Sequence, residues 1–157
     1  MIIEKINKKN RKDINSFIIK QWYTLQMVVH CEIINLGNAE GWFALKDNEI
    51  SGLITYRYLD KAIEILSLDS LYECQGIGTA LLRKVMQEAK DIKADRVVLT
   101  TTNDNLSALR FYQKRGFNIC KLSINAVEQA RKLKPEIPLF SAEGIPIKHE
   151  IELELIL

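Results

Sequence analysis

The sequence has little of what small secreted or membrane proteins depend on. It contains three cysteines, three prolines and seven glycines in 157 residues. Cys31, Cys74 and Cys120 are odd in number and widely spaced, which argues against a disulfide framework or a structural zinc site. No stretch approaches the roughly 18 apolar residues of a membrane span. The segment MIIEKINKKNRKD is charged where a signal peptide needs an apolar run. We therefore expect a cytoplasmic protein that holds no metal.

An excess of charge of one sign is also lacking. There are 22 basic and 20 acidic residues, a formal net charge of +2. Such a balance predicts neither a nucleic acid nor a membrane surface as a partner. The basic cluster Lys5–Lys12 has no stacking aromatics within it, so we interpret it as a solvated helix entry. With 47% hydrophobic residues, the chain is expected to form one domain, residues 1–157.

The hydrophobic pattern of the first half predicts a strand, helices and then three strands. MIIEKI reads as a strand, and RKDINSFIIKQWYTLQM has helical spacing, with one or two helices expected to follow. Apolar and polar residues alternate in GWFALKDNEISGLITYRYLD on both sides of the polar segment KDNE. This pattern is typical of two antiparallel strands joined by a turn. KAIEILSLDSL is expected to add the third strand.

The second half alternates helices and strands. YECQGIGTALLRKV opens a helix that should end near Ile92, and RVVLTTT reads as a buried strand. NLSALRFYQKRGF follows as a helix with Asn105 as its N-cap and Gly116 in the left-handed position after it. FNICKLSI, NAVEQARKL and HEIELELIL are a strand, a short helix and a closing strand. The predicted class is α/β, with a mixed, mostly antiparallel sheet of six to seven strands flanked by helices.

Two glycines at the start of the predicted helix raise the question of what lies there. The first amides of a helix have no intrahelical acceptor, and Gly76 and Gly78 lack side chains that would obstruct a ligand. Such a start favours an anion. The glycines alone are equally consistent with a tight turn, because the segment lacks the Lys-Ser/Thr of a P-loop and the third glycine of a dinucleotide fingerprint.

A second motif helps to interpret the two glycines. TTNDNLSALRFYQKRGF carries an Asn, an Ala three residues later, then Phe-Tyr and Gly-Phe. Together with GIGTALL, one strand earlier, it resembles the GNAT superfamily of N-acetyltransferases. The resemblance implies a GNAT-like acyl-CoA acyltransferase fold, acetyl-CoA as cosubstrate and an amine as acceptor. The sequence departs from the family pattern at Glu73, where Gln or Arg is usual, and at Cys74, where Gly is frequent.

The resemblance also implies roles for particular residues. The strand that contains Leu68 and Ser70 would hold the pantetheine arm, with the Leu68 amide directed at the acetyl carbonyl. Asn105 and Ala108 would contact the arm from the other side, although Asn105 also suits a helix cap. Tyr112 would be the general acid for the departing thiolate, the alternative being a core aromatic. The pyrophosphate would be held by Gln75, Gly76, Ile77, Gly78, Thr79 and Ala80.

The general base is the least determined residue. Glu64 is the first candidate, although alternation with its neighbours equally fits an outward-facing carboxylate, and Glu32 is the second. Cys74 precedes a helix start, so an acyl-enzyme route is a competing hypothesis. His30 and His149 are isolated in sequence, for which structural or surface roles are the default. A catalytically silent CoA-binding sensor or interaction module is the alternative function.

The acceptor and the assembly are predicted only in outline. Trp22, Tyr23, Trp42 and Phe140 lie in segments that the resemblance assigns to acceptor specificity, and they could form an apolar wall. The closing strand HEIELELIL alternates apolar and acidic residues, and a terminal strand at or near a sheet edge suggests a homodimer contact.

Overall fold

Nine strands, four α-helices and one short 3-10 turn make up the chain, and the computed structural model describes residues 1–157. In chain order the elements are β1 (Ile2–Lys5), α1 (Arg11–Trp22), β2 (Gln26–Val29), β3 (Glu32–Asn35), the 3-10 turn (Leu36–Asn38), β4 (Glu40–Lys46), β5 (Glu49–Leu59), β6 (Ala62–Ser70), α2 (Ile77–Asp91), β7 (Arg96–Thr102), α3 (Leu106–Gln113), β8 (Asn118–Ser123), α4 (Ala126–Leu133) and β9 (Glu150–Ile156). Seven strands form one mostly antiparallel sheet in the order β1-β4-β5-β6-β7-β9-β8, which confirms the predicted fold class.

The chain divides into two compact units. The first comprises Met1–Gln26, Asn35–Val97 and Leu157, and the second comprises Met27–Ile34 and Val98–Ile156. The boundary crosses β7 between Val97 and Val98. Whether the chain acts as one domain, as its length predicts, stays a prediction.

The segment after α1 differs from the sequence prediction. One or two further helices were expected there, and this prediction is wrong: α1 ends at Trp22, and β2 and β3 form a separate two-stranded sheet. Tyr23 ends the helix because it adopts the left-handed conformation, with φ of 64°. The strand segments QMVV and EIIN contain β-branched residues, which favour a pleated strand over a helix.

In the first unit, α2 packs against strands β4, β5 and β6. Its buried positions recur with helical spacing, so one broad apolar face meets the sheet, as predicted from the sequence. The turn between β4 and β5 is also confirmed: Asp47 and Asn48 both have positive φ, as a two-residue hairpin turn requires. The buried face of α2 consists of Ile77, Gly78, Leu81, Leu82, Val85 and Ala89.

In the second unit, β8 is the edge strand and pairs antiparallel with β9. The closing strand β9 therefore lies one position inside the edge. Its predicted acidic face is not uniformly exposed, because Glu150 is buried with 6% of its surface accessible. At its other end, Ile156 is 66% exposed. The closing strand thus lies near the sheet edge and not at it, and the homodimer contact through β9 stays a prediction.

A carboxylate on α2 joins three strands of the first unit. Lys5 of β1 and Trp42 of β4 donate to the Glu88 carboxylate at 2.8 and 3.1 Å. Tyr56 and Tyr58 of β5 donate to it as well. Burial alone would raise the pKa of Glu88, but these hydrogen bonds outweigh burial and lower the pKa to about 2. The charged carboxylate thus fixes the C-terminal half of α2 on the sheet.

We predict that acid removes this contribution. Because the pKa of Glu88 lies below its ordinary value of 4.5, the charged form stabilises the fold above about pH 4.5, and the contribution is lost as the pH falls toward 2. The free energy of unfolding in urea should be measured at pH 3 and pH 7. Glu88→Gln should lower it at pH 7, and the difference between the two pH values should be smaller in the variant than in the parent. The exposed Glu143→Gln is the control, and equal pH dependence in both variants would contradict the assignment.

Candidate functional site

Strand β6 is irregular at the point where it approaches the predicted site. Thr55 of β5 lies opposite Ser67, but the next residue, Tyr56, lies opposite Ile65, so Leu66 has no opposite residue. This extra residue is a β-bulge, which bends a strand and redirects the side chains that follow. The hydroxyls of Thr55 and Ser67 are 2.6 Å apart and buried, which fixes the strand just before Leu68.

Leu68 and Ser70 follow the bulge at the end of β6. Leu68 is half-buried and lies opposite Ile54. Ser70 is exposed, lies opposite Gly52, and donates its hydroxyl to the carbonyl of Tyr72 at 3.1 Å. The strand therefore ends in a turn that leads directly into the loop before α2.

The start of α2 is open to a ligand. Gly76 caps the helix with φ of 76°, and a Cβ placed on it would meet no atom within 4 Å. The first intrahelical bond runs from the Ala80 amide to the Gly76 carbonyl, so the amides of Ile77 and Gly78 have no acceptor within the helix. No acidic residue occupies the first turn. This arrangement carries the partial positive charge that favours an anion.

A lysine that the sequence did not single out lies beside this helix start. Lys46 donates to the Gln75 side chain at 2.9 Å, and its ammonium lies 4.5 Å from the centre of the Tyr72 ring. It is the last residue of β4. Lys46 therefore adds a full positive charge to the loop, and no local sequence pattern connects it with residues almost thirty positions away. Glu73 and Cys74 of the same loop are exposed.

Glu64, the predicted base, is buried and already engaged in an ion pair. Its surface is 2% exposed, and its carboxylate accepts from Nε of Arg57 at 2.6 Å. The two residues lie opposite each other on β6 and β5. The outward-facing alternative is therefore wrong, and catalysis by Glu64 stays a prediction.

Asp69 is a second carboxylate of β6 that the sequence did not indicate. Burial raises the pKa of Asp69, and the Trp22 indole N–H, which donates to both oxygens at 3.1 Å, offsets only part of that effect. Trp22 was expected to contribute to an apolar wall for the acceptor, but its polar edge is held by Asp69. Trp42, from the same expected wall, is held by Glu88.

In the second unit, Asn105 begins α3 as predicted. Its side-chain oxygen accepts from the Ala108 amide at 3.1 Å, which satisfies one of the free donors of the helix start. Gly116 adopts the left-handed conformation after the helix, with φ of 90°, as predicted. The cap role of Asn105 is confirmed, and its contact with a cofactor stays a prediction.

Tyr112 lies inside the second unit. It is 5% exposed, and its ring packs edge-on against Phe111 and Phe117, with ring centres 5.0 and 5.3 Å away. These contacts hold the ring in one orientation, as a core aromatic would be held. They are also compatible with a positioned acid, because a general acid has to be fixed relative to its acceptor.

The predicted residues thus fall into two groups. Strand β6 and the start of α2 carry Glu64, Leu68, Ser70 and the segment Gln75–Ala80 in the first unit, and α3 carries Asn105, Ala108 and Tyr112 in the second. No group of three or more His, Cys, Asp or Glu residues is close enough to hold a metal ion. None of the helices combines the length and hydrophobicity needed to cross a bilayer.

The mixed sheet, the bulged strand β6 and the glycine-capped start of α2 belong to an α/β protein. Residues 7–117 match the GNAT family of acetyltransferases, and the chain belongs to that family. The Bacillus subtilis (strain 168) protein YxbD is 48% identical over 141 residues, which are 89% of each chain. YdhI of the same organism is 44% identical over 96% of this chain and 95% of its own. A GNAT acetyltransferase from Elizabethkingia anophelis, solved with acetyl-CoA bound, shares the fold with a TM-score of 0.70 at 24% identity, covering 99% of this chain and 97% of that one.

We predict that the position of α2 depends on Gly52 of β5. A Cβ on Gly52 would lie 2.5 Å from Cγ2 of Ile77, 2.9 Å from the Asp69 carbonyl oxygen and 3.1 Å from Cδ1 of Leu81. Gly52→Ala should therefore destabilise the protein by about 1–3 kcal/mol, the usual range for overpacking. Urea unfolding measures the loss.

A double-mutant cycle identifies the cause of that loss. Ile77→Ala removes the atom nearest to the added Cβ, so it should cost less stability in the Gly52→Ala background than in the parent. Equal costs in the two backgrounds would show that Ile77 is not the obstacle.

Proposed function

We propose that the protein is an acetyl-CoA-dependent N-acetyltransferase that moves an acetyl group to a primary amine by direct attack in a ternary complex. The observation that carries the proposal is the open, glycine-capped start of α2 in a chain of the GNAT family. The acetyl-CoA held by the Elizabethkingia anophelis relative supports the choice of cosubstrate. The identity of the amine is left open.

The residues at the start of α2 fit a pyrophosphate. The amides of Ile77 and Gly78 are donors that the helix leaves without an acceptor, and the open space at Gly76 leaves room for an anion. Lys46 supplies a full charge close by. Glu73 lies in the loop before the helix, and its side chain is exposed.

The remaining roles concern the thioester. The Leu68 amide, placed after the bulge in β6, would donate to the acetyl oxygen and stabilise the negative charge of a tetrahedral intermediate. Asn105 and Ala108 would contact the pantetheine arm. Tyr112 would protonate the departing sulfur, since a phenol is still a proton donor at neutral pH.

Glu64 is the base proposed from the sequence. An acceptor amine has to lose a proton before it can attack, and an ordinary lysine-like amine is mostly charged at neutral pH. To act as base, Glu64 has to give up its 2.6 Å bond with Arg57 or share it with the incoming proton. This requirement can be tested by mutation of Glu64.

A catalytically silent CoA-binding sensor is the second candidate. It is favoured by the ion pair of Glu64 with Arg57 and by the burial of Tyr112, because both groups already have structural roles. A sensor would bind acetyl-CoA and transfer nothing. A cytoplasmic location and a homodimer are further proposals, the homodimer through the closing strand β9 beside the edge strand β8.

Cofactor binding and transfer are tested together. At a hundredfold excess over its dissociation constant, acetyl-CoA should stabilise the fold by about 2.7 kcal/mol, and acetate should do almost nothing. Incubation with acetyl-CoA and a mixed panel of amines, followed by mass spectrometry, should reveal an acetylated amine. Stabilisation without any acetylated product would favour the sensor.

Two glycine variants identify the binding site. Gly76→Val should remove most of the thermal shift, because its side chain would enter the open space at the start of α2. Gly144→Val is the control, since Gly144 also has a positive φ and open space around it but lies in the loop after α4. A full thermal shift in Gly76→Val would contradict the pyrophosphate assignment.

Tyr112→Phe tests the general acid. The variant keeps the ring and its contacts with Phe111 and Phe117, so folding and acetyl-CoA binding should be preserved. Removal of a general acid typically costs about 100-fold to 10,000-fold in rate. Single-turnover transfer is the appropriate measurement, because it isolates the chemical step. A rate within about threefold of the parent, well below that range, would show that water protonates the sulfur instead.

A further inference from the structure

The turn between β2 and β3 holds a histidine in a conformation that few residues adopt. His30 and Cys31 have φ of 53° and 58°, so both central residues of this two-residue hairpin turn are left-handed. Such turns strongly prefer Asn-Gly or Asp-Gly, because other residues are strained there. The sequence instead places an imidazole and a thiol at these positions.

The imidazole of His30 lies between a hydroxyl and a buried carboxylate. Its Nε2 is 3.1 Å from Oγ1 of Thr100 on β7. Its Nδ1 is 4.0 Å from Oε2 of Glu150, and the His30 backbone amide donates to the same oxygen at 3.4 Å. The Glu150 side chain is 8% exposed and that of His30 is 36% exposed. The Glu150 carboxylate, the His30 imidazole and the Thr100 hydroxyl thus follow one another from the buried to the half-buried end.

Other ionisable groups surround this line. Cys31 and Glu32 lie beside His30 on the hairpin, and both are exposed. On β9, Glu152 lies two residues from Glu150 and on the same side of the strand. On β8, Lys121 lies opposite Glu152 and Ser123 lies opposite Glu150. Glu150 contacts both the ring and the backbone amide of His30.

We propose that Glu150, His30 and Thr100 form a proton relay that deprotonates the acceptor amine. This inference rests on the acetyl transfer proposed above. Thr100 lies on β7, five residues before Asn105, and both belong to the second unit together with Tyr112. The relay therefore belongs to the same compact unit as two groups assigned to the thioester. It supplies a base without requiring Glu64 to release Arg57.

The proton transfers balance over one reaction. The acceptor ammonium gives a proton to Oγ1 of Thr100 while Thr100 passes its own hydroxyl proton to Nε2 of His30, and Glu150 stabilises the imidazolium that forms. The freed nitrogen lone pair attacks the acetyl carbon, so a C–N bond forms and the C–S bond breaks with its electron pair on sulfur. The sulfur takes the proton of Tyr112, and the second nitrogen proton restores the phenol. His30 then releases its proton to solvent, so one proton is released per ammonium acetylated.

The test compares matched variants on the amine that the parent acetylates fastest in the panel. Thr100→Val keeps the shape of the side chain and removes the hydroxyl, and Thr101→Val is its control on the opposite side of β7. His30→Asn removes the imidazole but suits the left-handed turn, so the hairpin should survive. Cys31→Gly relieves the neighbouring strain and leaves the relay intact. Glu64→Gln tests the base proposed from the sequence.

The rate is measured in single turnovers from about pH 6 to pH 10. At neutral pH, Thr100→Val and His30→Asn should lose about 100-fold or more, the usual worth of a general base. The loss should shrink toward about pH 10, where the amine becomes neutral without help. A purely structural effect would lower the rate equally at every pH. Thr101→Val and Cys31→Gly should match the parent, and the acetyl-CoA thermal shift should be unchanged in all five variants.

The outcomes separate this inference from the function on which it rests. If the parent acetylates amines and the Thr100 and His30 variants keep its rate, or lose rate equally at all pH values, the relay is wrong and the transferase stands. If Glu64→Gln alone shows the pH-dependent loss, Glu64 is the base and the relay is wrong. If the parent acetylates no amine, the proposed function fails, and the relay fails with it.

Discussion

The placement of α2 on strand β5 is the constraint on which the proposed anion site depends. Gly52 lets Ile77 and Leu81 approach the strand more closely than any other residue would permit. At the other end of the helix, the Glu88 carboxylate accepts hydrogen bonds from side chains of β1, β4 and β5. The helix is therefore fixed at both ends, by close packing at its start and by charge farther along. Its free amides consequently point in a defined direction, which a helix held by hydrophobic contacts alone would not guarantee.

In the second unit, neutral hydrogen bonds between Asn103 and the backbone hold the segment before the proposed functional residues. The Asn103 side-chain oxygen accepts from the amides of Lys148 and His149, and the Asn103 amide donates to the His149 carbonyl. Since Asn103 lies two residues before Asn105, the cap of α3, these bonds hold the segment that leads into the helix that carries Tyr112. His149 accepts from the Asn125 amide through Nδ1, which assigns it the structural role expected from the sequence. The two histidines of the chain thus have different environments that nothing in their local sequence distinguishes.

The proposed general base shows why contacts within a site can be difficult to predict from the sequence. Glu64 was selected because its strand borders the expected site, yet the residue opposite it on β5 is Arg57. Cross-strand pairing is set by register, and the bulge at Leu66 changes that register by one residue between Ser67 and Ile65. The contact of His30 with Thr100 and Glu150 joins three segments that are each far apart in the chain. No spacing rule connects them.

The sequence by itself determined the parts that depend on local periodicity and local hydrogen bonding. These include the apolar face of α2, the Asp47–Asn48 turn, the Asn105 cap, the left-handed Gly116 and the mostly antiparallel sheet. It misjudged the segment after α1, because short β-branched runs do not distinguish a helix from a hairpin without their neighbours. Only the tertiary structure decided which polar side chains meet: Lys46 with Gln75, Trp22 with Asp69, Glu88 with two tyrosines, and His30 with Glu150. The physical reason is that periodicity is a local property, which repeats within a few residues. Which side chains of distant strands meet depends on register, bulges and burial, and these are defined only when the whole chain folds.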